Sequence, residues 1–515
     1  MIIDTELGRL IAQRAGRAPD GGDVLQILGI PYARAERFRP PVPVGAPGVE
    51  ASGKTAGSPA APPTGEPINT GYGTCFPQRL VPRAVNLALR HFQLRPEWQP
   101  RGDVAGEDSL RVNVWTPLDG APRPVLVFIH GGDCGSGTLP VYNGAHLAGR
   151  GVVVVTVTYR IGAFGHLHVV DGGTASCDRA LLDQQAALRW VHEHIGALGG
   201  DPGNITLMGH CGGAQYALYQ ALNPDNAGLF HRLILASGQR AVPVPLDLDA
   251  ERRAFAAFLA DNRLTREELG ALPAERLVRL RMPRARLVTV MDRPFFRVDP
   301  RAVLRDGGFP RVPVLVGTTA DEFSMIEMPL WYRRMGLATR GRDLGRRVRE
   351  VYGEHGRRIA VALRHEADGL VDLQTRMMEL VVFHGAALDL MKGFSRFTTV
   401  HGYRFEGVPR VYGGRPGSYH GAAIAFFFGN LDRMRIPVTG EDRAVAAAVQ
   451  RDWLAFIRDG AVPGRPAFDR EDPSLTRYRA DGAVETIAFP HADLLGDLEG
   501  TDLAASVVDS YMRRR

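Results

Sequence analysis

The pentapeptide Gly209-His210-Cys211-Gly212-Gly213 restricts what this chain can fold into more than any other stretch. It follows the apolar run Thr206-Leu207-Met208 and leads into small residues suited to the first turn of a helix. The layout predicts a sharp strand-to-helix turn with Cys211 at its apex, and glycines two before and two after because side chains there would collide. The turn asks for glycine, and the chemistry asks for a nucleophile. Here the nucleophile is a thiol and not the hydroxyl such a turn usually presents.

A strand and helix joined this way belong to a sheet whose strands alternate with crossover helices, and the flanking sequence supplies both. The alternating run 110–115, the apolar run 124–129 and the valine-rich run 151–159 read as strands. A helix is predicted from Ala180 to Ile195, with Leu181, Leu182, Ala186, Leu188 and Val191 recurring on one face. Further strands are predicted at 205–208, 233–238, 312–317 and 400–405, and an amphipathic helix from Arg443 to Ile457. Upstream, residues 7–13 and 24–28 read as a hairpin. The Pro-, Gly-, Ser- and Ala-rich stretch 45–77 reads as a surface loop able to rim a pocket. Helical patterns near 254–259 and 274–280, and again over 327–391, read as insertions. Strands alternating with helices over this length predict an α/β class with a mostly parallel sheet.

Composition narrows the function classes. Apolar residues make up 45% and charged residues 23% of the 515 residues, the balance of a globular protein with a large core. The net charge of +6 is spread thinly, and no basic tract interleaved with aromatics is present to grip nucleic acid. The arginine-rich stretch from Arg333 to Arg364 carries Asp343, Glu350 and Glu354 between its cations and reads as a solvated helical face. No apolar run approaches membrane-spanning length, and no basic-then-apolar leader opens the sequence. The four cysteines, Cys75, Cys134, Cys177 and Cys211, show neither metal-ligand spacing nor the density of a disulfide framework. These features lead to the expectation of a cytoplasmic protein acting on a small molecule, without nucleic acid, membrane, metal or cofactor.

Motifs in one order then carry a resemblance. Gly29-Ile30-Pro31-Tyr32-Ala33, Glu107-Asp108 with Leu110 and Asn113-Val114, His130-Gly131-Gly132, Tyr159-Arg160 with Gly162, and the run Leu182 to Val191 come first. Gly199-Gly200-Asp201-Pro202, the elbow, Ser237-Gly238, Gly317 with Asp321-Glu322, His420-Gly421 with Phe427 and Gly429, and Trp453 to Gly460 follow. Together they resemble the type-B carboxylesterase and cholinesterase-like family over nearly the whole chain. The resemblance implies one α/β-hydrolase domain over 1–515, with a large mostly parallel central sheet flanked by helices. It also implies helical insertions at about 245–310 and 327–391 that cap the active site.

Carried over residue by residue, the resemblance implies a triad of Cys211, His420 and Glu322, with Cys211 standing where the family has serine. Asp321 is the rival acid by proximity, and Glu322 is favoured because it occupies the family position. The implied oxyanion hole comprises the backbone N–H groups of Gly132, Asp133 and Gly212, with Asp133 replacing a glycine of the family. His210 stands where the family usually carries glutamate. Ser109 stands where many secreted members carry a cysteine, so Cys75 is expected to be unpaired. Ser237 is expected to support the acid or the imidazole, and His130 to anchor its own loop. Cys134 and Cys177 read as small buried hydrophobes, with Cys134 a second candidate for the pocket wall.

These residues point to acyl chemistry. A thiol is mostly protonated at neutral pH, and a nearby imidazole and a helix N-terminus both favour the thiolate. The expectation is a Cys-dependent acyl-processing enzyme acting on an ester, lactone or thioester through an acyl-thioenzyme, with a substrate that is free or held on a carrier protein. Acyl transfer or cyclisation in specialised biosynthesis, with hydrolysis suppressed, is the alternative within the enzyme class. A non-catalytic binding protein on the same fold is the alternative outside it. Oligomeric state stays open, since the carboxy-terminal helices could pair between subunits.

Overall fold

A computed structural model of the chain describes residues 1–19, 21–44, 69, 76–77, 106–117, 119–132, 142–171, 174–238, 243–281, 289–293, 295–324, 337, 340–434, 436–498, 501 and 503–512. Apart from residues 69, 76 and 77, the expected pocket-rimming loop lies outside the described residues. The chain forms two compact units. The first comprises Met1–Arg90, Leu94–Leu233 and Val242–Pro310, and the second comprises His91–Gln93, Ile234–Ala241 and Arg311–Arg515.

In the first unit six strands succeed one another along the chain: β1 (Gln13–Arg17), β2 (Asp23–Pro31), β3 (Arg111–Thr116), β4 (Arg123–Ile129), β5 (Val153–Val157) and β6 (Gly200–His210). Their spatial order is β6-β4-β5-β3-β2-β1. The β6-β4 and β4-β5 pairs are parallel, whereas β5-β3, β3-β2 and β2-β1 are antiparallel. Val125 to Ile129 and Val153 to Val157 are buried at every position, as strands covered on both faces require. The bulge between Ile27 and Ile30 accounts for two of the sequence motifs. Gly29 takes φ 76°, and its N–H donates to the Asn113 side chain at 2.8 Å.

One strand pairing differs from expectation. Of residues 7–13 only Gln13 pairs within 24–28, with Gln26 at the start of β1, whereas Gly8–Ile11 pairs back onto Ile2–Thr5. The cause is local. Gly8 adopts φ 107°, and the Thr5 hydroxyl donates to its carbonyl at 2.9 Å, which closes a turn before Leu10 can reach β2.

Helix α1 (Arg179–His194) packs through Ala180, Leu181, Leu188 and Val191, and buries Asp183 as well. That carboxylate accepts two bonds from the Arg160 guanidinium, at 2.6 and 2.8 Å, and a third from the Arg160 backbone N–H at 3.0 Å. Arg160 also donates to the Arg39 carbonyl at 2.6 Å. A buried ion pair with its donors and acceptors so occupied fixes register. The Tyr159-Arg160 and Leu182 to Val191 motifs are therefore matched because they are two halves of one buried bond network.

The second unit holds the end of β7 (Arg232–Ala236), then β8 (Val314–Thr319), β9 (Val400–Phe405), β10 (Ser474–Tyr478) and β11 (Val484–Ala488). The spatial order is β11-β10-β9-β8-β7, with β8-β9 and β9-β10 parallel and β10-β11 antiparallel. Helix α3 (Gly369–Glu379) runs through a π-helical turn, Leu380–His384, into α4 (Gly385–Phe394), and α5 (Gly440–Asp459) closes the core over Trp453. Both ends of α5 are written in the sequence. Thr439 and Asp442 form a reciprocal capping box, and Gly460 ends the helix at φ 75°. The arginine-rich helix Gly341–Tyr352 carries mixed charges one turn apart, with Arg346 beside Asp343 and Glu350. No helix among the described residues is long and apolar enough to cross a membrane.

Candidate active site

The first unit carries the elbow. Strand β6 ends at His210, α2 (Gly212–Ala221) begins two residues later, and Cys211 between them takes φ 58° and ψ −128°. That left-handed backbone is costly for a residue with a Cβ and persists only where the surroundings hold it. They do so by close approach. A Cβ on Gly209 would lie 2.1 Å from the Gly213 carbonyl oxygen, and one on Gly213 would lie 2.1 Å from that of Ile129. A Cβ on Gly131 would come within 2.6 Å of the His210 carbonyl oxygen and 2.8 Å of the Cys211 Cβ. The loop after β4 thus presses its glycines directly against the elbow.

Two consequences follow for the thiol. The Cys211 carbonyl accepts from Ala214 and Gln215, so α2 starts at the elbow and its positive end faces the sulfur-bearing residue. The first N–H groups of a helix have no partner within the helix, which leaves the Gly212 N–H as a donor beside Cys211. Gly132, at φ 120°, has its carbonyl 3.3 Å from the place of a Gly212 Cβ, so these two residues are neighbours. Asp133 and Cys134 lie outside the described residues.

His130 is buried, and its Nδ1 lies 2.8 Å from the Gly131 carbonyl oxygen. Its ring stacks on Tyr159, whose hydroxyl donates to the His130 carbonyl at 2.6 Å. Burial pushes the imidazole down to about 4, so it is neutral and holds its own loop. His210 is buried at the end of β6. Tyr142, which sequence reasoning passed over, packs its ring 4.6 Å from Phe128 and shares a hydrogen bond with the Gly131 backbone. Burial first, and then negative charge on Cys211, raise its phenol above the usual range. Nothing in its sequence neighbourhood marks it.

The second unit carries an acid–base pair. Glu322 follows β8 by three residues and is buried, and its two oxygens have different tasks. Oε1 accepts the Thr319 N–H at 2.8 Å, and Oε2 lies 2.6 Å from His420 Nδ1. The Ser237 hydroxyl adds a further bond to the same carboxylate. Ser237 is itself buried at φ 50°, with its N–H on the Gly317 carbonyl at 2.8 Å. Burial alone would raise the Glu322 carboxyl, but His420, by charge and hydrogen bond, and then Ser237 and Thr319 hold it below the ordinary carboxylate value. An ionised carboxylate can only accept, so Nδ1 of His420 carries the proton and Nε2 is left as the basic nitrogen.

The neighbouring acid is engaged elsewhere. Asp321 Oδ2 accepts the Ser418 N–H at 2.8 Å, and its own N–H donates to the Ser418 carbonyl at 3.1 Å. A Cβ on Gly417, at φ 61°, would lie 2.3 Å from that same carboxylate oxygen. Asp321 therefore clamps the backbone of the loop that carries His420, while Glu322 holds the ring. The His420 ring also rests 5.1 Å from Phe383, a residue of the π-helical turn that periodicity alone does not single out.

A profile of the carboxylesterase family matches residues 1–485. The chain belongs to the carboxylesterase family. Within it, the chain is 29% identical over 494 residues to para-nitrobenzyl esterase of Bacillus subtilis (strain 168), covering 89% of this chain and 90% of that protein. It is 31% identical over 463 residues to phenmedipham hydrolase of Pseudarthrobacter oxydans, covering 83% and 88%. Among solved structures it is similar to a carboxylesterase of Geobacillus stearothermophilus, with a TM-score of 0.76 at 27% identity over 96% of this chain and 99% of that one. It is also similar to a thermophilic para-nitrobenzyl (PNB) esterase, with a TM-score of 0.76 at 25% identity over 97% and 99%. The fold is the α/β-hydrolase fold of these carboxylesterases, with a large, mixed, mostly parallel sheet flanked by helices. Membership places the chain among carboxylesterase-type hydrolases.

Proposed function

We propose that this carboxylesterase-family enzyme cleaves a small-molecule ester, lactone or thioester through an acyl-thioenzyme formed on Cys211. The observation that carries the reading is the backbone of Cys211, held in a left-handed conformation at the start of α2 by glycines on two sides. That backbone supports reading the thiol as a nucleophile in preference to a packing residue. In the proposed reaction the Nε2 of His420 takes the thiol proton, and the sulfur forms a bond to the acyl carbon. The resulting oxyanion is received by the N–H groups of Gly212, Gly132 and residue 133. Collapse breaks the bond to the leaving oxygen or sulfur, which receives the proton from His420. Water then attacks the thioester, His420 takes its proton, and the carboxylic acid leaves with the thiol restored.

A thiol nucleophile also supports a second outcome. The acyl-enzyme is itself a thioester, which amines, thiols and carbon nucleophiles attack as well as water, so transfer or cyclisation proceeds from the same intermediate. A compartment that keeps thiols reduced, such as the cytoplasm, suits the reading.

The test is to trap the acyl-enzyme. With para-nitrobenzyl acetate, intact mass after acid quenching is expected to rise by one acetyl group, mapped to the peptide containing Cys211. Cys211→Ser is expected to keep hydrolysis of activated aryl esters. If that variant gains hydrolysis while losing the native product, transfer replaces hydrolysis as the reading. An acyl group mapped elsewhere, or turnover unaffected in Cys211→Ala, overturns the thiol mechanism.

A further inference from the structure

We infer that the π-helical turn Leu380–His384, together with Glu379 at its entrance, is the cradle that fixes the His420–Glu322 pair, with Glu379 acting as a positioning residue for acyl cleavage. The inference rests on the reading of His420 as the base. Three side chains of this segment, those of Glu379, Phe383 and His384, reach the surroundings of the pair. The Glu379 carboxyl accepts the N–H of Phe323, the amide immediately after Glu322, at 2.8 Å. The Phe383 ring stands edge-on to Phe323 at 5.1 Å and lies 5.1 Å from the His420 ring. His384 Nε2 lies 3.3 Å from the Thr319 carbonyl oxygen, and the N–H of that same Thr319 is bonded to Glu322.

The π geometry is what brings all three to one side. At 3.6 residues per turn, residue i+4 shares a face with residue i, while i+5 is turned about 140° away. Here the Gly385 N–H reaches back to the Leu380 carbonyl, one residue further than in an α-helix. The extra residue lets both Phe383 and His384 stay on the face that Glu379 begins. An ordinary helix would have to give up one contact.

Charge explains why an acid is tolerated in this place. Glu379 is buried and faces two other carboxylates, Asp321 and Glu322, with Arg376 as a cationic neighbour. Burial, and after it those two acids, raise its carboxyl well above the ordinary value, which favours its neutral form. His384 is likewise neutral: burial and then Arg404 push it down to about 3. The cradle therefore holds backbone amides and rings without adding a charge that would compete with Glu322 for His420.

The experiment compares Glu379→Ala, Glu379→Gln, Phe383→Leu and His420→Ala with para-nitrophenyl acetate, alongside the far-downfield proton resonance of the His420 Nδ1–H. Glu379→Ala leaves the Phe323 N–H without its acceptor and is expected to lower kcat about 10- to 100-fold with KM little changed, and to broaden the resonance. Glu379→Gln, neutral and of the same shape, is expected to restore both. Phe383→Leu is expected to broaden the resonance without touching Glu379, and it carries the test if Glu379→Ala fails to fold. A folded Glu379→Ala or Phe383→Leu with unchanged kcat and a sharp resonance, while His420→Ala is inactive, overturns the cradle alone. A Glu379→Gln variant as impaired as Glu379→Ala overturns the neutral-acceptor role and the cradle with it. An active His420→Ala overturns the base reading and this inference together.

Discussion

Cys177 and Cys211 lie in the same compact unit, and their surroundings assign them opposite roles. Cys177 is fully buried in a small apolar cluster with Ala175 and Val290, flanked by Val170, Leu246 and Leu248. Its backbone N–H donates to Asp292 at 2.8 Å, and burial first, then Asp292 and Asp178, push its thiol far above the usual range. Cys211 is only half-buried, sits at a left-handed apex and begins a helix of ten residues. The same side chain is a filler in one setting and a candidate nucleophile in the other. Reactivity is thus a property of backbone placement and local field, with the sulfur common to both.

The comparison breaks most decisively in turnover. Cys211→Ala is expected to lower kcat/KM on para-nitrophenyl acetate by about 10⁴-fold or more, whereas Cys177→Ala leaves it near wild type. Equal losses in the two variants would erase the distinction. Alkylation sharpens it at smaller scale. Iodoacetamide at neutral pH is expected to modify Cys211 at least about tenfold faster than Cys177, as read by peptide mass spectrometry. Because the Cys177 thiol is raised, raising the pH to mildly basic values should not close that gap. Only denaturant should. The smallest expected effect is on stability, and its sign differs between the two. Cys211→Gly relieves a positive φ and is expected to raise the unfolding free energy read from urea titration by about 1 kcal/mol. Cys177→Ala leaves a small void and is expected to lower it by about the same amount. Matching signs would show that the elbow backbone carries no strain.

The legible part of the site was the part set by neighbours in sequence. Gly209 follows from a local collision, since a Cβ there would lie 2.1 Å from the carbonyl oxygen of Gly213, four residues on. The ends of α5 follow from Thr439, Asp442 and Gly460 in the same manner. Less was legible where a turn overrode periodicity. Gly8 turned the chain early and gave Gly8–Ile11 a partner in Ile2–Thr5. The residues missed entirely, Tyr142, Glu379, Phe383 and His384, have ordinary sequence surroundings, and their contacts are made across tens of residues.

The acidic doublet shows where the boundary lies. Sequence alone determined that a thiol stands between crowded glycines, that an acid and then a histidine follow it, and that strands alternate with helices around them. It could not decide between Asp321 and Glu322 from their own residues, because adjacent carboxylates are chemically alike. Tertiary structure decided it. Glu322 meets an imidazole 98 residues away, while Asp321 meets the Ser418 amide 97 residues away. Local sterics are written in a few neighbouring residues, whereas a hydrogen-bond partner at that separation exists only once the sheet has set the register of β8 and β9.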